Sequence, residues 1–180
     1  MADSVHPLSP EEWERLESFL ESYLKPFCAY NDFEPPRLVL WIARTGMHPC
    51  VLAFPAKHNL QVYETPQGLT VSWDRPKKRG NNAATLVPIK DPRVCSWARE
   101  FIAGFYLSPV SLSTIQRAVY DVGRQAGVKV SPRCLRHTFL RWVADRTRDP
   151  TAVMALGNVS GRVAMGYTMR ARVEEYRAAL

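Results

Sequence analysis

Ser9-Pro10, Asp91-Pro92, Ser131-Pro132 and Asp149-Pro150 each put a short capping side chain directly before a proline. Serine and aspartate accept hydrogen bonds from the N–H groups of a first helical turn, and proline fits that turn because its missing N–H would have no partner there. Each pair is therefore a helix start. At Ser9 the signal is fullest: Glu12 stands where it closes a capping box, and Trp13, Leu16, Phe19, Leu20 and Tyr23 follow at helical spacing. This first helix is expected to end near Pro26. Asp91 opens a helix to about Phe105, Ser111 or Ser113 caps another to about Gly123, Ser131 opens a third, and Asp149 opens a short one ending at Gly157. Met169 to Leu180 is a last amphipathic candidate.

Between these helices the pattern changes. After a loop through Asn31, Pro35 and Pro36, Leu38 to Ala43 is an unbroken apolar run. Periodicity does not separate helix from strand there, and we read it as a buried helix ending at Thr45-Gly46. Gln61 to Tyr63 and Leu69 to Trp73 flank Pro66-Gln67-Gly68 as a hairpin, and Ala84 to Ile89 supplies a third strand. The expectation is a mainly α fold with a small antiparallel β-sheet (α+β). At 180 residues and 46% hydrophobic content the chain suits one domain, residues 1–180, with a full core. It shows no repeat, low-complexity tract or dividing linker.

Charge narrows the partners. Lys+Arg outnumber Asp+Glu by 24 to 17, giving a net charge of +7 that would attract a phosphate backbone. Cys28, Cys50, Cys95 and Cys134 form no C-x-x-C pair, so no zinc or other metal site is expected. Reduced thiols and the lack of an apolar N-terminal segment or bilayer-length run give the expectation of a soluble cytoplasmic protein with no membrane association.

The chemistry is concentrated in the last third. Arg133-Cys134-Leu135-Arg136-His137-Thr138 is followed by Leu156-Gly157-Asn158 and then by Tyr167. This is an ordered set of phosphate-handling groups ending in a nucleophile candidate. Arginine suits a phosphate clamp because its planar guanidinium holds two oxygens and keeps its charge. In order and spacing these residues resemble the catalytic domain of the tyrosine recombinases, the phage-integrase type of DNA breaking and joining enzyme. There the second motif usually reads His-x-Leu-Arg-His-Thr, followed by Leu-Gly-His or Leu-Gly-Trp and a tyrosine about nine residues on. The family's first motif, Thr-Gly-x-Arg, corresponds to Thr45-Gly46-Met47-His48.

The resemblance implies site-specific cleavage and rejoining of double-stranded DNA through a 3′-phosphotyrosyl intermediate, with Tyr167 as nucleophile and no cofactor. It makes Arg136 the phosphate clamp. Asn158 becomes a hydrogen-bond donor to the scissile phosphate in place of histidine or tryptophan. Arg133 stands at a proton-transferring position, where it can hold a phosphate but do no acid–base work. Lys78, or Lys77, on the hairpin tip becomes the acid for the leaving oxygen, with Arg75 and Arg79 as backbone contacts. The proton transfer that Arg133 cannot perform must then come from elsewhere, and His137 and His48 are the available imidazoles near the motifs, although the resemblance makes His137 mostly a packing and hydrogen-bonding residue at the DNA site. His48 takes the place of the first catalytic arginine, a change that in phosphoryl transfer removes several orders of magnitude in rate. Arg44, one turn earlier, would reach the same phosphate if Gly46 does not break the helix. The resemblance further implies self-association on DNA through the C-terminal segment and a nucleoid-associated location. Too few residues precede Pro36 for a separate N-terminal core-binding domain. Two other readings stand beside the recombinase: a catalytically degenerate DNA-binding relative of the same fold, and a type IB topoisomerase-like nicking and rejoining activity.

Overall fold

The computed structural model describes residues 6–23, 34–66, 68–74 and 84–179. Helices α1 (Pro10–Tyr23), α2 (Pro35–Thr45) and α3 (Pro49–Ala53) come first. They are followed by strands β1 (Gln61–Thr65), β2 (Gly68–Trp73) and β3 (Thr85–Ile89). Then come α4 (Pro92–Cys95), α5 (Ala98–Leu107), α6 (Leu112–Gln125), α7 (Pro132–Thr147), α8 (Pro150–Gly157) and α9 (Gly161–Ala179). The chain is mostly helical with a small three-stranded antiparallel sheet.

The helix starts follow their caps. Asp91, Ser131 and Asp149 each accept a hydrogen bond from a first-turn N–H of α4, α7 and α8, and Ser111 does the same for α6. At α1, Glu12 accepts from the Ser9 N–H at 2.9 Å while Ser9 Oγ accepts from the Glu12 N–H at 3.2 Å, so the capping box closes in both directions.

Helix α2 is the centre of the core. Leu38, Val39, Leu40, Trp41, Ile42 and Ala43 are all fully buried, because α1, α6 and α7 pack around it. A helix buried on every side has no polar face, which is why its sequence shows no period. Burial of each such large side chain stabilises by about 1.5–3 kcal/mol. Trp41, Trp97, Phe101 and Phe105 continue this core as a chain of tilted and edge-to-face rings.

In the sheet, β2 lies between β1 and β3, with Val62 opposite Val71 and Val71 opposite Val87. Leu69, Val71 and Trp73 of β2 and Thr85, Val87 and Ile89 of β3 turn one face inward. Pro88 is tolerated because β3 is an edge strand.

Four expectations need correction. The helix expected from Asp91 to Phe105 is two helices, because Trp97 between them leaves helical geometry (φ −134°) as its side chain packs against Trp41 and Phe101. The last helix starts at Gly161, not Met169, so Tyr167 sits inside it. Helix α2 starts at Pro35, so Pro35 and Pro36 stand in its first turn, where proline fits, and not in the preceding loop; a short helix, α3, follows the Thr45-Gly46 turn with His48 as its cap. The expected first-helix end at Pro26 and the loop at Asn31 lie outside the described residues.

Candidate DNA-cleavage site

Two glycines bring the site together. Gly46 ends α2 in the left-handed region (φ 62°), donating its N–H to the Ile42 carbonyl at 2.8 Å. A Cβ there would stand 2.3 Å from Phe139 Cδ1, and a Cβ on Gly157, the last residue of α8, would stand 2.0 Å from Leu140 Cδ2. Phe139 and Leu140 lie three and four residues beyond Arg136 on α7, on the same side of the helix. Having no side chains, the glycines let the ends of α2 and α8 approach α7 closely. Their carbonyls then both accept from Arg136, Gly46 O from Nη1 and Gly157 O from Nη2.

Helix C-terminal carbonyls lack partners within their own helix and carry partial negative charge, so a guanidinium suits them. Two of the five guanidinium N–H donors are used this way, which leaves three for another ligand. Burial lowers the Arg136 pKa, opposed by Tyr167 and Cys50. An arginine nonetheless stays charged near neutral pH.

Tyr167 lies on α9, which packs on both α7 and α8, and the residue is 9% exposed. Its hydroxyl is hydrogen-bonded to His137 Nδ1, and the two rings are 5.9 Å apart. Burial raises the Tyr167 pKa, while the charges of Arg136, Arg170 and Arg133 pull it back down. Burial is also the main cause of the lowered His137 pKa, reinforced by Arg133, Arg136 and His6. Arg133 is exposed. Asn158 terminates α8 in the left-handed region (φ 49°), next to the Gly157 carbonyl held by Arg136.

The structure therefore gathers Arg133, Arg136, His137, Asn158 and Tyr167 at the meeting of α7, α8 and α9. Arg170, three residues beyond Tyr167 on α9, joins them and was not singled out from sequence for this place. Its spacing carries the signal only once a single helix is known to run through both. His6 is the other addition, brought in by the Leu8 N–H donating to Thr138 Oγ1 at 2.9 Å.

The first-motif residues behave differently. His48 is exposed and caps α3, its Nδ1 accepting from the Cys50 N–H at 3.3 Å and lying 3.0 Å from Cys50 Sγ. Arg44 does not extend toward the site, because Gly46 does break the helix. Its Nε pairs with Asp91 at 3.0 Å and its Nη2 with Glu17 at 2.8 Å, and its guanidinium lies 5.1 and 5.0 Å from the Trp13 and Trp142 rings. It lines a cleft of about 720 Å³ between α1, β3, α4, α7 and α8, together with Arg93, Arg146 and Trp142. Lys77, Lys78, Arg75 and Arg79 fall in the β2–β3 connection, outside the described residues. Among the described residues no cluster of three or more His, Cys, Asp or Glu side chains could hold a metal ion, and no helix is long and apolar enough to cross a membrane.

No sequence-family profile matches the chain, and no curated protein matches it in sequence. Solved structures do match. The chain superposes on the XerH site-specific recombinase bound to palindromic difH substrate in a post-cleavage complex, with a TM-score of 0.72 and 18% identity, over 97% of this chain and 52% of XerH. It is similar to the XerA recombinase at a TM-score of 0.68 and 22% identity, over 96% of this chain and 64% of XerA. It also resembles the Tn1549 transposon integrase in complex with transposon right end DNA, at a TM-score of 0.55 and 16% identity, over 99% and 67% of the two chains. The chain thus spans about half the length of XerH. With its helical core, three-stranded sheet and order of elements, this chain has the tyrosine recombinase catalytic-domain fold.

Proposed function

We propose that this domain cleaves and rejoins double-stranded DNA at specific sites through a 3′-phosphotyrosyl intermediate on Tyr167. One observation carries the reading: Tyr167 is held at His137 within the charge influence of Arg133, Arg136 and Arg170. Such a transfer needs a nucleophile in line with the leaving 5′ oxygen and cations on the non-bridging oxygens as charge builds. Arg136, fixed by two carbonyls, is a preorganised clamp, with Arg133 and Arg170 as further phosphate contacts. Asn158 supplies an amide donor beside the clamp. Lys78 or Lys77 remains the proposed acid. The likeness to recombinases solved on DNA supports a DNA partner. A single catalytic domain, self-association through the C-terminal segment and a nucleoid-associated location are part of the same proposal.

Covalent trapping tests it. Wild-type protein and Tyr167→Phe are incubated with labelled supercoiled and nicked DNA pools, denatured, and assayed for label on protein. Adduct with wild type alone is the expected result. A second reading, a DNA-binding relative that does not cut, is favoured by His48, whose ring caps α3 where the family has an arginine. Salt-dependent binding without adduct would select it.

A further inference from the structure

The family's proton-transferring position is held here by Arg133, so the tyrosine needs another acceptor. Among the described residues, the ring hydrogen-bonded to the Tyr167 hydroxyl is His137. We infer that His137 is the general base of this site, taking the Tyr167 proton as the phenolic oxygen attacks phosphorus. The inference rests on the strand-transfer reading above.

The geometry supports it from three sides. His137 follows Arg136 directly on α7, so the base and the clamp ride on one helix, and α9 brings Tyr167 to them. The groups facing His137 are Arg133 and Arg136 from its own helix, Tyr167 from α9 and His6 from the segment before α1. The arginines and His6 are cationic or become so on protonation, and the ring is partly buried, so the neutral ring is favoured, and its tautomer with the proton on Nε2 accepts from the tyrosine at Nδ1. The same burial keeps the phenol protonated at rest, opposed by the nearby arginines, whose charges favour release of the proton. That gap in resting acidity does not forbid transfer. A serine hydroxyl is a weaker acid than a phenol, yet histidine takes its proton as the new bond forms.

The step balances. The Tyr167 oxygen bonds to phosphorus, its proton moves to His137 Nδ1, the bond to the 5′ oxygen breaks, and that oxygen takes a proton from the acid of the strand-transfer reading. In the return step the 5′ hydroxyl attacks the phosphotyrosine and returns its proton to that acid's conjugate base, while the imidazolium gives its proton back to the departing phenolate. No oxidant, metal or nucleotide enters.

The test uses a cleavage substrate whose leaving 5′ oxygen is replaced by sulfur, which departs without an acid, so that the rate reports activation of the nucleophile alone. Adduct formation is followed against pH for wild type, His137→Asn and Tyr167→Phe. Asparagine places an oxygen near the Nδ1 position and keeps a hydrogen-bond acceptor for the tyrosine while being unable to take a proton. The expected result is a roughly 10²–10⁴-fold slower His137→Asn, with the acidic limb of the wild-type profile gone. A His137→Asn rate within threefold of wild type, with the limb intact, overturns the inference and leaves Tyr167 cleavage standing. Absence of any wild-type adduct overturns the strand-transfer reading itself and the base with it. A second measurement needs no activity: ¹⁵N-resolved titration of His137. In Tyr167→Phe its pKa is expected to rise, since the lost O–H donor stabilised the neutral ring. An unmoved titration shows that the ring does not hold the tyrosine proton and overturns the assignment.

Discussion

Replacing Gly46 by alanine strikes the junction on which the site depends. Two penalties arise at once. A non-glycine residue at φ 62° costs about 1–2 kcal/mol. A Cβ 2.3 Å from Phe139 Cδ1 overfills a packed site, which typically costs about 1–3 kcal/mol, and Phe139 has little room to yield because it is 7% exposed. Together Gly46→Ala is expected to lose about 2–5 kcal/mol, a melting-temperature fall of roughly 10 °C for a domain of this size. Urea denaturation followed by circular dichroism measures it. The overlap share is isolated by pairing the substitution with Phe139→Leu: the double variant should recover about 1–2 kcal/mol relative to additivity. If Gly46→Ala lies within about 0.5 kcal/mol of wild type, the close approach of α2 to α7 is wrong and the Arg136 clamp built on it falls as well.

Three further outcomes can be checked. Arg44→Gln is expected to destabilise by about 1–3 kcal/mol in thermal unfolding, through lost packing between Trp13 and Trp142 and unpaired acids, while adduct formation at permissive temperature stays within threefold of wild type. At Asp91, burial pushes the carboxyl up, but hydrogen bonds and charge from Arg93, with charge from Arg44, outweigh it and the net direction is down. Its stabilisation is therefore present above the ordinary carboxylate value and lost as pH falls below about 4, so Asp91→Asn should flatten the acid-unfolding curve in that window. His48→Arg gives up the cap on α3, losing about 0.5–2 kcal/mol of stability, yet should raise adduct formation at least about tenfold if a second guanidinium is what the site lacks.

Much of this architecture is readable in the amino acids, and the parts that are not have identifiable causes. Caps such as Ser131 and Asp149 act within four residues, so they are visible as local chemistry and the helices start where they say. The start of α9 has no such signal: Gly161 and Gly166 are poor helix formers, and the helix is held by packing on α7 and α8. Trp97 breaks one expected helix for the same reason, since its partners Trp41 and Phe101 outweigh local propensity. In the site, the spacing of Arg136, Gly157 and Tyr167 is legible because three adjoining helices carry them. The fate of Arg44 is not, because its partners Glu17 and Asp91 are 27 and 47 residues away and belong to other helices. The contact between His137 and Tyr167 is likewise invisible until α9 is known to begin before the tyrosine.

Arg136 bonds to backbone 90 residues before it and 21 after it. One side chain therefore fastens both a candidate reaction centre and the seams between three helices. In a mutational scan, this position would score as a stability residue whatever its chemistry, and loss of activity on truncating it would say nothing about catalysis. Attribution at this centre has to come from positions such as His137 and Tyr167, where the proton can be removed from the argument and the scaffold left in place.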